Sequence, residues 1–311
     1  MGNVVLVKKL NEIMDMKSYY SRNLIEKMPP GSVFAAKTLG GCMITAYKSG
    51  KVLFQGNEGE QEAQRWGVSS STMTKNEPKK ATGLPNNIGS LSIIGSDEVG
   101  TGDYFGPITV VAAYVKREDI QLLKELGVRD SKDLNDVKIS EIAKQIKNIV
   151  PHSLLTLHNE KYNKLQASGM SQGKMKAILH NQAIYHVLGK ISPVQPDGIL
   201  IDQFVQSSTY YQHLKGQKNM IKDNVFFSTK AEGIHIAVAA ASILARYAFV
   251  QYVDKLSEAA GFTIPKGAGK QVDEAAAKLI LSKGQDILPK FVKLHFANTE
   301  KALNLVKRKK G

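Results

Sequence analysis

Two apolar segments that each end in a carboxylate constrain the fold of this 311-residue chain most strongly. Residues 91–96 precede Asp97 and Glu98, and residues 198–201 precede Asp202. Both segments are short, apolar and bounded by glycine, which predicts buried strands. A charge where a strand leaves a buried sheet costs free energy unless it is paired or binds a cation. In a chain with a net charge of +14, such acids predict a divalent metal held against a polyanion.

A third acidic position, Glu232, lies just before the long apolar segment that starts at residue 234. An acid at the start of a helix is often only a cap or a partner of the helix dipole, and that alternative remains open for Glu232 alone. Together with the two strand ends, it matches the hard oxygen ligands that Mg²⁺ or Mn²⁺ prefers. Four carboxylates are also what a phosphoryl-transfer site with two divalent ions needs.

The charge balance points to the class of partner. Lys and Arg number 42 against 28 Asp and Glu, which favours nucleic acid, although a merely soluble basic protein is the alternative. Cys42 is the only cysteine, so an internal disulfide is excluded and a reducing compartment is expected. The N-terminus lacks the pattern of a signal peptide, and the apolar stretch 234–245 is too short to span a bilayer. We therefore expect a soluble cytoplasmic protein with no membrane contact.

Composition along the chain predicts two domains. Residues 68–89 are rich in Ser, Pro, Gly and Asn and read as a linker between a first domain, 1–67, and a second, 90–311. In the first domain we predict a helix over 10–27, a β-hairpin over 42–56 and a helix over 58–66.

The second domain alternates predicted strands and helices, which implies an α/β fold with a central mixed sheet flanked by helices. The predicted strands cover residues 91–96, 108–115, 152–157 and 198–201. The predicted helices cover residues 118–126, 139–149, 171–188, 234–259, 273–283 and 291–305.

Several motifs of the second domain together resemble the type 2 ribonucleases H, and most closely the bacterial ribonuclease HIII subfamily. They are Gly-Ser-Asp-Glu-Val-Gly-Thr-Gly-Asp-Tyr-Phe-Gly-Pro at 95–107, Asp-Ser-Lys at 130–132, Ile-Asp at 201–202, Lys-Ala-Glu at 230–232 and Ala-Ala-Ala-Ser-Ile-Leu-Ala-Arg at 239–246. The resemblance implies a ribonuclease H-like fold and assigns the metal-binding, catalytic acids to Asp97, Glu98, Asp202 and Glu232. The broader group has Asp at the fourth position, so Glu232 resembles the HIII subfamily.

The loop formed by Gly100, Thr101 and Gly102 resembles the family's loop that reads ribose 2′-hydroxyl groups. Glycines allow the close backbone approach that such a contact needs, and the 2′-hydroxyl distinguishes RNA from DNA. A plain strand-to-loop turn is the alternative. Most type 2 enzymes have Arg at the position that Thr101 occupies in this chain. At the position of Ala268 they have a Tyr, which recognises a single ribonucleotide joined to DNA. These departures imply an enzyme that prefers runs of ribonucleotides over single-ribonucleotide junctions.

The resemblance also implies other contacts with the substrate. Ser131 and Lys132 match the Asp-Ser-Lys motif, and Lys293 and His295 match a late segment expected to touch the nucleic-acid backbone. A solvated lysine and a structural histidine are the alternatives. The basic residues 307–310 read as a solvated tail.

The first domain resembles one half of the TATA-box-binding protein fold. A curved sheet carrying Tyr47, Lys48 and Lys51 near its hairpin would grip a duplex, with basic side chains on phosphates and aromatic side chains on sugars or bases. Alternation along a strand also allows Tyr47 or Phe54 to be core residues.

These features predict a divalent-metal-dependent endoribonuclease that cleaves the RNA strand of an RNA/DNA hybrid. The resemblance implies two ions, Mg²⁺ or Mn²⁺, products with 5′-phosphate and 3′-hydroxyl ends, a monomer, and a role in DNA replication and repair. Two alternatives remain: another nuclease of the same broad fold, such as a resolvase or a 3′–5′ exonuclease, and a non-catalytic nucleic-acid-binding protein.

Overall fold

A computed structural model describes residues 4–26, 28–29, 31–67 and 83–310. The chain divides into two compact units, one formed by residues 1–79 with 121–127 and the other by 80–120 with 128–311. Most of the predicted linker, residues 68–82, lies outside the described residues.

Over residues 4–64, the first unit consists of a four-stranded antiparallel sheet, in the strand order β1-β4-β3-β2, and two helices. Its elements are β1 (Val4–Val7), α1 (Leu10–Tyr19), β2 (Ser32–Lys37), β3 (Met43–Tyr47), β4 (Lys51–Gln55) and α2 (Gly59–Gln64). Most of a further helix, Ile120–Glu125, also belongs to this unit. The hairpin of β3 and β4 agrees with the predicted one, whereas β1 was not predicted. Helix α1 ends earlier than predicted and is followed by a 3-10 helix over Ser21–Asn23.

Strand alternation divides the residues of this sheet between two faces. Phe34, Ile44 and Phe54 pack in one buried cluster with Ile13 and Met16 of α1. Phe54 is therefore a core residue of the first unit.

The second unit has a five-stranded mixed sheet in the order β7-β6-β5-β8-β9. Its strands are β5 (Ile93–Val99), β6 (Ile108–Val115), β7 (His152–Leu157), β8 (Gly198–Asp202) and β9 (Val225–Ser228). Strands β5, β8 and β9 are parallel neighbours, while β6 pairs antiparallel with both β5 and β7. The predicted α/β class with a mixed sheet is confirmed.

The helices that follow β6 in the chain are α3 (Ile120–Glu125), α4 (Asp136–Ile146), α5 (Asn159–Ala167), α6 (Gln172–Ile191), α7 (Ser207–His213), α8 (Ile236–Ala260), α9 (Lys270–Lys283), α10 (Leu288–Phe291) and α11 (Ala297–Lys310). Strand β9 and helices α5 and α7 were not predicted. The helix predicted over 291–305 is broken, because Val292 adopts an extended conformation and pairs with Phe105 in an isolated β-bridge. The predicted basic tail is instead the last turn of α11.

Helix α8 is the central helix of the second unit. Among the described residues it alone is long and apolar enough to cross a membrane, and 67% of its most apolar window is buried inside the protein. The apolar stretch 234–245 is thus part of α8, which agrees closely with the helix predicted over 234–259 and packs on β5 and β6 as a core element.

Gly95 lets α8 approach β5 closely. A Cβ atom at this position would lie 2.3 Å from both the carbonyl carbon of Ala237 and the amide nitrogen of Val238. Backbone atoms cannot yield as a flexible side chain can, so the contact requires glycine. Asp97 lies two residues further along the same strand. The close packing of α8 on β5 therefore also determines how far Asp97 is buried below the protein surface.

Replacing Gly95 with alanine should destabilise the second unit by about 1–3 kcal/mol, the usual cost of overpacking a core. A thermal melt of the full chain measures this. Gly189→Ala is the matched control, since Gly189 lies in α6 with nothing near a new Cβ. It should be stabilising by about 0.5–1 kcal/mol, because alanine is the better helix former. Equal melting temperatures for the two variants would contradict the close-packing argument.

Candidate active site

The acidic residues meet at one edge of the mixed sheet. Ser96 of β5 pairs with Ile201 of β8 in parallel register, so both strands end at the same edge. Asp97, Glu98 and Asp202 therefore lie side by side, as expected for the carboxyl ends of parallel strands.

The fourth acid reaches this edge from the turn between β9 and α8. Glu232 lies in a 3-10 helix over Ala231–Gly233. The amide of Ala231 donates a 2.8 Å hydrogen bond to Oδ1 of Asp202, which ties the turn to the end of β8. Lys230, just before the turn, has a left-handed backbone with φ of 57°.

Mutual repulsion between the carboxylates is visible in their electrostatics. Asp97 is 5% exposed, and its burial, together with the charges of Glu98 and Asp202, raises its pKa well above the ordinary value. Burial also raises the pKa of Asp202, with added repulsion from Glu98 and Glu232 and with the Ala231 amide acting in the opposite direction. The four acids thus form one electrostatically coupled group.

Glu98 differs from its neighbours because two basic side chains hold it. Nζ of Lys176 lies 2.7 Å from Oε1, and Nε2 of His180 lies 2.9 Å from Oε2. Burial alone would raise the pKa of Glu98, but the hydrogen bonds and charges of His180 and Lys176 lower it to about 2.

The two basic residues are themselves fixed by their surroundings. His180 is fully buried, its Nδ1 lies 2.7 Å from Oγ of Ser96, and its ring stacks on Phe204. Nζ of Lys176 lies 4.2 Å from the centre of the same Phe204 ring. Neither residue was predicted from the sequence. Their spacing of four on α6 is the only available signal, since residues i and i+4 share a helix face.

Glu232 is held by the Asp-Ser-Lys motif. The amide of Ser131 donates a 2.8 Å hydrogen bond to Oε2, and Nζ of Lys132 lies 3.3 Å from Oε1. Although burial lowers the pKa of Lys132, the Glu232 carboxylate reverses the effect and raises it. Lys132 is mostly exposed and remains available to a substrate.

Ser131 differs from its predicted role as a substrate contact. It is buried, and its hydroxyl lies 2.9 Å from that of Ser242 on α8. The guanidinium of Arg246 donates to its carbonyl, and also to the Asp136 carboxylate. Ser131 therefore orients Glu232 from inside the protein.

The four carboxylates are suitable ligands for a divalent cation because they supply oxygen donors, although they do not form a complete coordination sphere. In the ranges that the structure describes, no three His, Cys, Asp or Glu side chains are grouped tightly enough to hold a metal ion by themselves. Glu98 and Glu232 direct their oxygens to basic groups and an amide, while the uncompensated charge is concentrated on Asp97 and Asp202. A carboxylate oxygen with two lone pairs can accept a hydrogen bond and still bind a cation.

The glycine-rich loop after β5 requires glycine at its first position. Gly100 has φ of 95°, and a Cβ there would lie 2.1 Å from the carbonyl oxygen of Pro107. Gly102 is exposed, and Nε2 of Gln172 donates a 3.2 Å hydrogen bond to the carbonyl of Thr101. The hydroxyl of Thr101 is buried and makes no hydrogen bond with any described residue.

Lys293 and His295 differ in solvent exposure. Lys293 was predicted to touch the nucleic acid, but its side chain is fully buried, with Nζ 2.6 Å from the carbonyl oxygens of Asp103 and Gly106. Burial lowers the pKa of Lys293 to about 7 despite the opposing charge of Asp103. His295 is exposed beside the Tyr162 ring, so it can reach a substrate.

The substrate contacts predicted in the first unit also differ in solvent exposure. Tyr47 is buried, which differs from the predicted substrate contact, whereas Lys48 is exposed and Lys51 partly exposed at the turn between β3 and β4. Ala268 in the second unit is exposed, and Nδ2 of Asn298 donates to its carbonyl over 2.9 Å.

Two family models match the chain. The model described as Ribonuclease HII matches residues 94–299, which include all four acids. A second, described only as a domain of unknown function (DUF3378), matches residues 3–79.

Named relatives and solved structures match nearly the whole chain. Ribonuclease HIII of Bacillus mycoides is 56% identical over 99% of this chain and 100% of its own length, and that of Bacillus subtilis is 56% identical over 100% of both. The crystal structure of Bst-RNase HIII in complex with Mn²⁺ matches with a TM-score of 0.72 and 47% identity, covering 99% of this chain and 100% of the other. The Aquifex aeolicus RNase H3 structure gives a TM-score of 0.55 at 25% identity, covering 93% and 98%. The chain belongs to the ribonuclease HIII family, within the type 2 ribonucleases H, and is a hydrolase of RNA strands in RNA/DNA hybrids.

Proposed function

We propose that the chain cleaves the RNA strand with two divalent ions bound among Asp97, Glu98, Asp202 and Glu232. The observation that carries this proposal is the convergence of the four carboxylates at one edge of the sheet, where β5 and β8 are parallel and the Ala231 amide ties the Glu232 turn to Asp202. Such a concentration of negative charge is unfavourable by itself, and a divalent cation relieves it. The Mn²⁺ in the related Bst-RNase HIII structure supports the assignment of a metal.

Asp97, Glu98, Asp202 and Glu232 would hold the two divalent ions, which would supply water activation and stabilisation of the leaving oxygen for a hydrolysis that gives 5′-phosphate and 3′-hydroxyl ends. Around them, Lys176 and His180 hold Glu98 ionised and fixed in direction. Lys132 is exposed beside Glu232, where its ammonium group can bind a substrate phosphate. The choice between Mg²⁺ and Mn²⁺ depends on the spacing of these oxygens, and either ion accepts carboxylate ligands.

The substrate preference follows from the glycine loop and its neighbour. The exposed backbone at Gly102 can approach a ribose closely, as expected for a loop that reads 2′-hydroxyl groups. Ala268 presents only a methyl group where a junction-recognising enzyme of the family has a Tyr. Recognition therefore depends on several successive riboses rather than on one junction.

The first unit adds affinity for the duplex. Lys48 is exposed at the hairpin turn and can meet phosphates, which attract basic side chains without regard to sequence. Lys51 lies at the same turn, where its Nζ is 2.9 Å from Oε2 of Glu125, so a phosphate would compete with that carboxylate. We further propose that the enzyme acts as a monomer in the cytoplasm, on hybrids formed during DNA replication and repair.

Asp97→Asn should lower turnover on an RNA/DNA hybrid by about a thousandfold or more, because several kcal/mol of metal-dependent transition-state stabilisation are lost. Hybrid binding should remain, since the phosphate contacts are unchanged. Turnover and filter binding of the same preparation measure both quantities. Asp286→Asn, an exposed acid far along the chain from the four carboxylates, should behave as wild type. Normal turnover in Asp97→Asn would exclude the site.

A hybrid with a continuous RNA strand should be cleaved about tenfold or more faster than a DNA duplex with one ribonucleotide, because each lost hydrogen bond costs on the order of 1 kcal/mol. The comparison of kcat/KM on the two substrates measures this. Ala268→Tyr should raise cleavage of the single-ribonucleotide substrate and leave the hybrid rate unchanged. Equal rates on both substrates with the unaltered chain would overturn the proposed preference.

Lys48→Ala should weaken hybrid binding and reduce the slope of log Kd against log salt concentration by about 1, the effect of losing one phosphate contact. A salt series by fluorescence anisotropy gives the slope. Lys17→Ala is the control, because Lys17 lies on α1 rather than at the hairpin turn. An unchanged slope in Lys48→Ala would remove the hairpin turn from the interface.

A further inference from the structure

Lys293 places an amine in an apolar interior behind the glycine-rich loop. Its side chain is fully buried, and it follows Phe291 and Val292, which belong to a cluster of buried apolar side chains. Burying an amine without hydrogen-bond partners is costly, and an aliphatic side chain would fill the same space without that cost. The contacts of the amine therefore indicate what the residue does.

All of the contacts converge on one short segment of backbone. The side-chain Nζ donates hydrogen bonds of 2.6 Å to the carbonyls of both Asp103 and Gly106. The main-chain amide of Lys293 donates to the carbonyl of Tyr104 over 2.9 Å. A single residue thus satisfies three carbonyl oxygens within residues 103–106, directly after Gly102.

The segment that carries Lys293 is itself fixed to α5. Oδ1 of Asn163 accepts a 3.0 Å hydrogen bond from the amide of Leu294, and its Nδ2 donates to the carbonyl of Val292 over 2.9 Å. The same helix reaches the loop directly, because Nδ2 of Asn159 donates to the carbonyl of Gly106. The backbone on both sides of Lys293 is therefore anchored to α5, so Lys293 would keep its position if residues 100–106 moved.

The loop also connects to the segment that contains Ala268. Oδ1 of Asp103 accepts a 2.6 Å hydrogen bond from the amide of Gly267, and the amide of Tyr104 donates to the carbonyl of Gly267 over 2.9 Å. Any shift of residues 103–106 would consequently displace both segments that are expected to face the ribose-bearing strand.

We propose that Lys293 is a positioning residue that sets the ribose-reading loop, rather than a contact to the nucleic acid. This inference rests on the proposed role of residues 100–102 in reading 2′-hydroxyl groups. With the amine present, the backbone of the loop is held in the position in which it can contact the riboses of the substrate. Without it, the carbonyl of Asp103 loses the amine donor and the carbonyl of Gly106 keeps only the hydrogen bond from Asn159, so the loop shifts to recover hydrogen bonds elsewhere.

Lys293→Met in the full chain tests the proposal, since methionine has a similar length but no donor. In the presence of Mg²⁺, the KM for an RNA/DNA hybrid should rise about tenfold, with a smaller change in kcat. The inhibition constant of an all-DNA duplex of the same sequence should stay unchanged, because contacts with phosphates do not depend on this loop. The readout is the ratio of the KM for the hybrid to the inhibition constant of the DNA duplex. If the role of Lys293 were purely structural, its substitution would leave this ratio unchanged.

Two further variants keep the test decisive. Leu214→Ala opens a cavity in a different apolar cluster, one that contains no residue of 100–106, so it should lower the melting temperature and preserve the ratio. Gln172→Ala removes another side chain that holds the loop, at the carbonyl of Thr101, and should change the ratio in the same direction even if Lys293→Met fails to fold.

An unchanged ratio in folded Lys293→Met, or in Gln172→Ala if the first variant does not fold, would overturn the positioning role while leaving the proposed function intact. A wild-type chain that binds hybrid and DNA duplex equally would instead overturn the proposed ribose recognition, and the role of Lys293 with it.

Discussion

The concentration of like charges at one sheet edge is the constraint on which the rest of this structure depends. Parallel pairing of β5 with β8 brings Asp97, Glu98 and Asp202 together, and the turn into α8 adds Glu232. Four carboxylates in a partly dry environment repel one another, and burial strengthens the repulsion. The surrounding side chains can be understood as the means by which the fold tolerates this group.

The compensation is unequal, and the inequality has a functional meaning. Glu98 is neutralised by Lys176 and His180, and Glu232 by the Ser131 amide and Lys132. Asp97 and Asp202 keep raised pKa values because burial and neighbouring charges act on them without a basic partner of comparable strength. The charge available to a cation therefore lies on Asp97 of β5 and Asp202 of β8, while Glu98 and Glu232 are held in fixed directions by protein groups.

Much of this arrangement could be predicted from local sequence, because a strand end is a local feature. Apolar runs that stop at Asp97 and Asp202 placed those acids near strand ends without knowledge of the packing, although β5 continues past its predicted end through Asp97 and Glu98 to Val99. Residues 108–115 and 152–157 were also predicted with their observed bounds. Family motifs supplied Glu232, whose position alone is equally consistent with a helix cap.

The remaining features depend on how distant elements pack, and no local pattern contains that information. Lys176 and His180 reach Glu98 only because α6 lies over β5 and β6, and Lys293 is buried only because residues 292–296 leave the helical path to pair with the loop. Ser131 likewise read as an accessible motif residue until the packing of α8 enclosed it. In each case, the residue type was visible in the sequence but its surroundings were not.

The central claim is that the four carboxylates form one site for divalent cations. Calorimetric titration of Mn²⁺ into the full chain, compared with the same titration into the Asp97→Asn, Asp202→Asn double variant, tests it most directly. The account predicts saturable binding to the unaltered chain and its loss in the double variant, with the fold retained by circular dichroism. Equal binding of Mn²⁺ to both proteins would contradict the account, because the cation would then be held elsewhere.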